Sequence, residues 1–287
     1  MMTNGQPSRT AFTAAAARAA HLRVDNEPFI FADTVAAVLL GNRADELISY
    51  HTAHGTHPVL SGARAQVACR SRYTEDALAE AVRRGTAQYL ILGAGLDSFA
   101  YRNPFTALRV FEVDHPATQE YKRQAAPEPP GVTYVPADLG TAALADVLRA
   151  AGLDFAAPVL VSWLGCTMYL DQDAINRTLS VIGGLAPGSE LVMDYMLPAD
   201  MRDSDGRLYA DLVGQAAAEQ GEPWLSVFSP GAIEKSLATH EMATVRNLSL
   251  RDSIPAALWE RSDALRPAQL ACLLHAEIPG TRATVSR

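Results

Sequence analysis

From position 89 onward, short apolar runs alternate with amphipathic stretches. Runs at 89–92, 109–113, 132–135, 158–163 and 189–194 are rich in Val, Leu and aromatic residues and predict strands, while 116–125, 141–151 and 171–185 predict helices. Such alternation argues for an α/β fold with a parallel sheet covered on both faces. Two later apolar runs, 243–248 and 270–278, extend it to about seven strands. Ahead of the alternation, the alanine-rich 10–22 predicts a helix, and 27–40 a second one stopped by Gly41-Asn42. Thr74 predicts an N-cap, with Glu75 and Asp76 placed against the helix dipole. Ala77, Leu78, Ala81 and Val82 then form an apolar helical face, closed by Arg83-Arg84-Gly85. The stretch 197–231 fits no strand–helix unit and predicts an insertion over one end of the sheet.

Composition changes this picture little. The chain has 287 residues, 48% of them hydrophobic and 20% charged, which suits a globular enzyme with a sizeable core. A net charge of −8 supplies no basic field for phosphates and argues against nucleic acid as a partner. The three cysteines, Cys69, Cys166 and Cys272, are too scattered for a disulfide framework and point to a reducing compartment. No apolar run reaches membrane-span length, and the alanine-rich positions 1–20 only faintly echo a transit peptide. The expectation is a cytoplasmic protein with no membrane partner.

The candidate chemistry begins where the first strand ends, at Gly93-Ala94-Gly95-Leu96-Asp97, followed by a second strand ending Glu112-Val113-Asp114. This is the spacing at which a βαβ unit wraps the ribose end of an adenosine-containing cofactor. Gly93 and Gly95 let a ligand approach the backbone, and Asp114 is the candidate to accept hydrogen bonds from ribose hydroxyls. Glu112 has the same parity one step deeper, where its alternative is an internal salt bridge. Ser98 occupies the position of the third dinucleotide-fingerprint glycine, which favours a cofactor lacking a pyrophosphate, S-adenosylmethionine, over a nicotinamide dinucleotide.

Three runs carry a family likeness: Arg70-Ser71-Arg72-Tyr73-Thr74-Glu75-Asp76, Gly93-Ala94-Gly95-Leu96-Asp97-Ser98-Phe99-Ala100-Tyr101-Arg102, and Phe111-Glu112-Val113-Asp114-His115-Pro116. Together with Ala137-Asp138-Leu139 and Ser162-Trp163-Leu164-Gly165-Cys166-Thr167-Met168-Tyr169-Leu170, the chain resembles the leucine carboxyl methyltransferase-like group of class I S-adenosylmethionine-dependent methyltransferases, over roughly 20–195. That group includes many actinobacterial O-methyltransferases, some of them acting on polyketides. The resemblance implies a Rossmann-like sheet of about seven strands with an antiparallel edge formed by 243–248 and 270–278, plus N-terminal helices and a helical lid. It also implies that Arg70 holds the cofactor carboxylate and that Asp138 and Leu139 contact the adenine. Read without it, Arg70 and Arg72 are a solvated helix start and Asp138 a helix cap. Leu164 departs from the glutamate that many members carry, which weakens any assignment to the protein-phosphatase-directed branch.

The resemblance implies one domain over 1–287, with a helical cap at 1–69, a cofactor core at 70–195, a lid at 196–235 and a sheet edge at 236–287. The acceptor site is expected outside the core, with Tyr209, Trp224 and Phe228 as candidate contacts; alternatively, these aromatics pack a peripheral helix or a homodimer contact. His51, His54 and His57 recur every third residue, but Gly55 and Pro58 break any helix that would align them, so a loop near the active site is preferred to a metal site. One of them can serve as a general base. The function expected is O-methylation of a carboxylate or hydroxyl on a small-molecule or peptide metabolite, in secondary metabolism. The alternatives are a nicotinamide-dependent oxidoreductase and a noncatalytic S-adenosylmethionine-binding protein.

Overall fold

The computed structural model describes residues 7–280, so the outermost parts of the proposed cap and sheet edge, and the first residues of the transit-peptide-like stretch, lie outside it. One seven-stranded sheet organises the chain in the order β3-β2-β1-β4-β5-β7-β6. The strands are β1 (Gln88–Leu92), β2 (Arg109–Asp114), β3 (Val132–Pro136), β4 (Val159–Trp163), β5 (Glu190–Met196), β6 (Ala243–Ser249) and β7 (Ala271–Glu277). The first five are mutually parallel, and β7 enters antiparallel between β5 and β6. β1, β4 and β5 are buried throughout, which is why they are mostly apolar, with the buried Asp194 of β5 as a charged exception. This is the class I methyltransferase arrangement that the pattern and the resemblance imply.

Helices α1 (Arg9–Val24), α2 (Ala36–Leu39), α3 (Ala44–His54) and α4 (Pro58–Arg83) precede the sheet. α5 (Phe99–Arg102), α6 (Pro116–Ala125), α7 (Leu144–Ala150) and α8 (Gln172–Gly183) connect its parallel strands, and α9 (Ser204–Glu219) and α10 (Pro230–Thr239) separate β5 from β6. Alternation along β1 sends Leu90 and Leu92 to a core shared with α7, α8 and α10, and Tyr89 and Ile91 to a core under Leu78 and Ala81 of α4. α1 packs its alanines against Leu39, Leu40, Ile48 and Leu96.

Two local expectations fail. The helix expected over 27–40 shrinks to the single turn of α2, because Asp33 turns inward and is fully buried. Its carboxylate receives Arg18 at 2.8 Å and the Ser98 hydroxyl at 2.7 Å, and caps α2 through the Val35 and Ala36 amides. Burial opposes the charge, but Arg18, Ser98 and Arg102 together hold its pKa below the usual carboxylate range. Thr74 is not an N-cap. It lies buried inside α4, which starts at Pro58 with the His57 imidazole accepting from the Val59 amide. Glu75 forks onto Arg102 at 2.6 and 3.1 Å and Asp76 pairs with Arg72, so the acidic residues that mimicked a helix start are ion-pair partners.

Candidate functional site

Gly93 and Gly95, just past β1, have φ of +65° and +53°, a region side chains rarely adopt. Their surroundings are closed as well: a Cβ on Gly93 meets the Cys166 sulfur at 2.8 Å, and one on Gly95 meets the Ala11 methyl of α1 at 3.0 Å. Asp114, ending the neighbouring β2, clips this loop in place. Its buried carboxylate accepts from the Gly95 amide at 2.6 Å and from the His115 amide at 2.7 Å. Burial raises its pKa, and those two amides act in the opposite direction. Glu112 does not join it: its carboxylate is fully buried on Lys122 at 2.5 Å, the internal salt bridge, with burial raising its pKa to about 7.

Arg70 is in the middle of α4 and not before a helix. Its Nη1 donates to Asp194 of β5 at 2.9 Å, and its guanidinium lies over Gly165, where a Cβ would sit 2.6 Å from Nη1. Asp194 also accepts from the Gly165 amide at 2.6 Å, and its backbone carbonyl accepts from the Thr167 hydroxyl. One fully buried aspartate therefore fixes both Arg70 and the loop after β4. Sequence reasoning missed it, although an acid amid Leu191-Val192-Met193 is itself a signal. Ser98, read only as a missing glycine, links Asp33 to Arg102 and anchors the glycine loop to the N-terminal helices.

Asp138 follows β3 and is exposed. Its carboxylate closes a tight turn on the Gly140 amide at 2.8 Å and caps no helix, since α7 starts only at Leu144; Leu139 beside it is half-buried. Arg70, Gly93, Gly95, Asp114, Asp138 and Leu139 all line one cavity of about 1360 Å³ at the carboxyl ends of the parallel strands. Ligands of open α/β sheets bind at this end.

The 197–231 stretch, together with α1, α3 and α4, forms the far wall. Tyr209 of α9 lies near Gly62 of α4, and Trp224 packs on Gly214. The extended segment is tied down: Thr10 donates its amide to Glu222 at 3.1 Å, and the Leu225 amide donates to the Met168 carbonyl at 2.6 Å. Tyr209 and Trp224 line the cavity. Phe228 does not; it is buried in the main core edge-on to Tyr195. The histidines are not on a loop: His51 and His54 close α3, His57 caps α4, and all three contribute to the cavity wall. Burial and the nearby Arg64 guanidinium push the His51 pKa down to about 4. Among the described residues, no cluster of three or more His, Cys, Asp or Glu side chains could hold a metal, and no helix is long and apolar enough to cross a membrane.

The leucine carboxyl methyltransferase family model matches residues 11–183. YktD of Bacillus subtilis (strain 168), named for S-adenosyl-L-methionine-dependent methyl transfer, is 29% identical over 96% of this chain and 99% of that protein. A Mycobacterium tuberculosis (strain H37Rv) protein named in the same way, Rv3787c, is 38% identical, with the match spanning 48% of this chain and about half, 47%, of the relative. The crystal structure of a Thermobifida fusca YX protein named for methyl transfer superposes with a TM-score of 0.61 at 19% identity, covering 96% of this chain and 97% of that one. A DUF574 family protein from Streptomyces avermitilis gives 0.61 at 18% identity, covering 92% and 97%. At these identities the two structures speak for the fold.

Proposed function

Since the chain belongs to the leucine carboxyl methyltransferase family and is an S-adenosylmethionine-dependent methyltransferase, we propose that it methylates an oxygen, carboxylate or hydroxyl, of a small-molecule or peptide metabolite. A role in secondary metabolism is part of the same reading. The observation that carries the proposed cofactor site is the Asp114 carboxylate, buried and clipped to the Gly95 amide at the mouth of β1 and β2.

The residues fit the cofactor. Asp114 spends one hydrogen bond per oxygen on backbone amides and keeps lone pairs for ribose hydroxyls. Arg70 uses Nη1 on Asp194 and keeps its other donors for a carboxylate, which a guanidinium holds in a fixed geometry. At Gly93 and Gly165 a Cβ would collide with Cys166 and with Arg70, so both positions keep bare backbone at the cavity wall, where a ligand can approach closely. Asp138 and Leu139 border the side where an adenine ring would lie, an acceptor beside an apolar cover.

When bound, S-adenosylmethionine supplies a methyl already activated on a sulfonium, so the chain's task is alignment and exclusion of water. The α9 segment, with Tyr209 and Trp224, is the proposed cover. A carboxylate acceptor needs no base, whereas a hydroxyl benefits from one. Burial pushes the Cys166 thiol up to about 12, so this sulfur beside Gly93 stays protonated and is a poor competing nucleophile.

Calorimetry with S-adenosylhomocysteine and with NAD tests the cofactor, and methyl transfer from labelled S-adenosylmethionine to paired acids and alcohols tests the acceptor. Trp224→Ala is expected to raise the Michaelis constant for the acceptor while S-adenosylhomocysteine affinity stays within about twofold. Equal damage to cofactor binding, or none to either constant, moves the acceptor site elsewhere.

A further inference from the structure

We infer that the acceptor is a predominantly apolar, non-anionic molecule admitted on the α3–α9 side of the cavity, and that the oxygen methylated is a hydroxyl. This rests on the methyltransferase reading above and narrows it.

Size is the first argument. A pocket for one drug-sized ligand spans roughly 300–1,000 Å³, and the cavity here is about 1360 Å³. The strand ends and Arg70 occupy one side of it. The volume toward α3, α4 and α9 remains for a second, sizeable molecule.

The apolar character of that side is the second. Tyr50 of α3, Leu212 of α9 and Leu225 just beyond are 60%, 51% and 57% exposed, yet all three line the cavity. Large apolar side chains that face both solvent and a cavity mark where it opens, and their exposure calls for a covering ligand. Behind them the wall continues through Val67, Met196 and Trp224.

Charge is the third. The cavity wall holds six carboxylates, Glu46, Asp97, Asp114, Asp138, Asp171 and Glu222, and two guanidiniums, those of Arg18 and Arg70. Arg18 is spent on Asp33 and on the Leu96 carbonyl, at 2.8 and 2.6 Å. Arg70 is paired to Asp194 beside Gly165, where the cofactor carboxylate is proposed. His51, on the acceptor side, is kept neutral at physiological pH by burial and Arg64. His54 and His57 also line this side, but both are exposed to water, so an anionic acceptor would pass Glu46 and Glu222 and lose its hydration without gaining a buried cation, which is costly. A hydroxyl on an apolar frame escapes both penalties.

The test uses two fluorescent probes with one ring system, uncharged N-phenyl-1-naphthylamine and its sulfonated analogue 1-anilinonaphthalene-8-sulfonate. Both are titrated into the full chain with and without saturating S-adenosylhomocysteine, whose own binding is measured on the same preparation. The uncharged probe should bind with the product present, and the sulfonate roughly tenfold more weakly or worse. 1-Naphthol should displace the uncharged probe at about a tenth of the 1-naphthoate concentration. Leu212→Glu and, independently, Tyr50→Glu should weaken the uncharged probe about tenfold, with S-adenosylhomocysteine affinity within about twofold. Equal or tighter binding of the sulfonate or the naphthoate overturns the inference, as does a probe affinity that neither substitution changes. Absence of S-adenosylhomocysteine binding, by contrast, would count against the cofactor reading and not against the chemistry of this wall.

Discussion

Asp114→Ala is expected to weaken S-adenosylhomocysteine binding about 30- to 150-fold, the loss of roughly 2 to 3 kcal/mol that follows removal of a charged hydrogen-bond acceptor. The carboxylate does two jobs in this fold. It is proposed to meet the ribose, and it closes the glycine loop by accepting from Gly95 at 2.6 Å. By position alone, a carboxylate at an open strand end lies outside the core and reads as dispensable for folding. Its burial and its two backbone donors correct that view: the alanine variant leaves both amides without their partner, at about 1 to 3 kcal/mol of stability. Asp114→Asn separates the two effects, because it keeps one acceptor and the shape while losing the charge. Calorimetry on folded variants is the check. Unchanged affinity in both would remove Asp114 from the ribose.

The second large effect is expected at Asp194, a residue with no proposed ligand contact. Its carboxylate is fully buried and takes Arg70 on one oxygen and the Gly165 amide on the other. Truncating one partner of a buried pair leaves an uncompensated charge, so Asp194→Ala should cost about 3 to 5 kcal/mol of stability. Because Arg70 then loses its anchor, cofactor affinity should fall as well. Denaturant unfolding reports the first, and calorimetry at low temperature the second. A stability loss below about 1 kcal/mol, typical of an exposed pair, would contradict the description of Asp194 as the clamp between α4 and the β4 loop.

Much of this architecture is legible along the chain because a parallel sheet buried on both faces forces uninterrupted apolar strands. The runs ending at Leu92 and Trp163 betray themselves that way, and β2 does so between its ends apart from Glu112, whose carboxylate is buried on Lys122. The glycine loop is equally legible, since Gly93 and Gly95 sit at φ values that only glycine adopts freely. What escaped was set by partners distant in sequence. Asp33 leaves a helix-like pattern to reach Arg18 and Ser98, and Glu75 resembles a helix-start residue while serving Arg102. Periodicity cannot register such contacts, because it reads only local spacing. The insertion was found as a break in the alternation, but its aromatics could not be sorted by composition: Tyr209 and Trp224 face the cavity, whereas Phe228 turns into the core beside Tyr195.

Crystals of the chain soaked with S-adenosylhomocysteine show directly whether one cavity at the strand ends holds the cofactor between Asp114 and Arg70. Both ribose hydroxyls should lie within hydrogen-bond distance of the Asp114 carboxylate, with the product's carboxylate on the Arg70 guanidinium and its sulfur facing the wall formed by Tyr209 and Trp224. Density for the ribose away from Asp114, with that carboxylate still engaged only by Gly95 and His115, would contradict this placement.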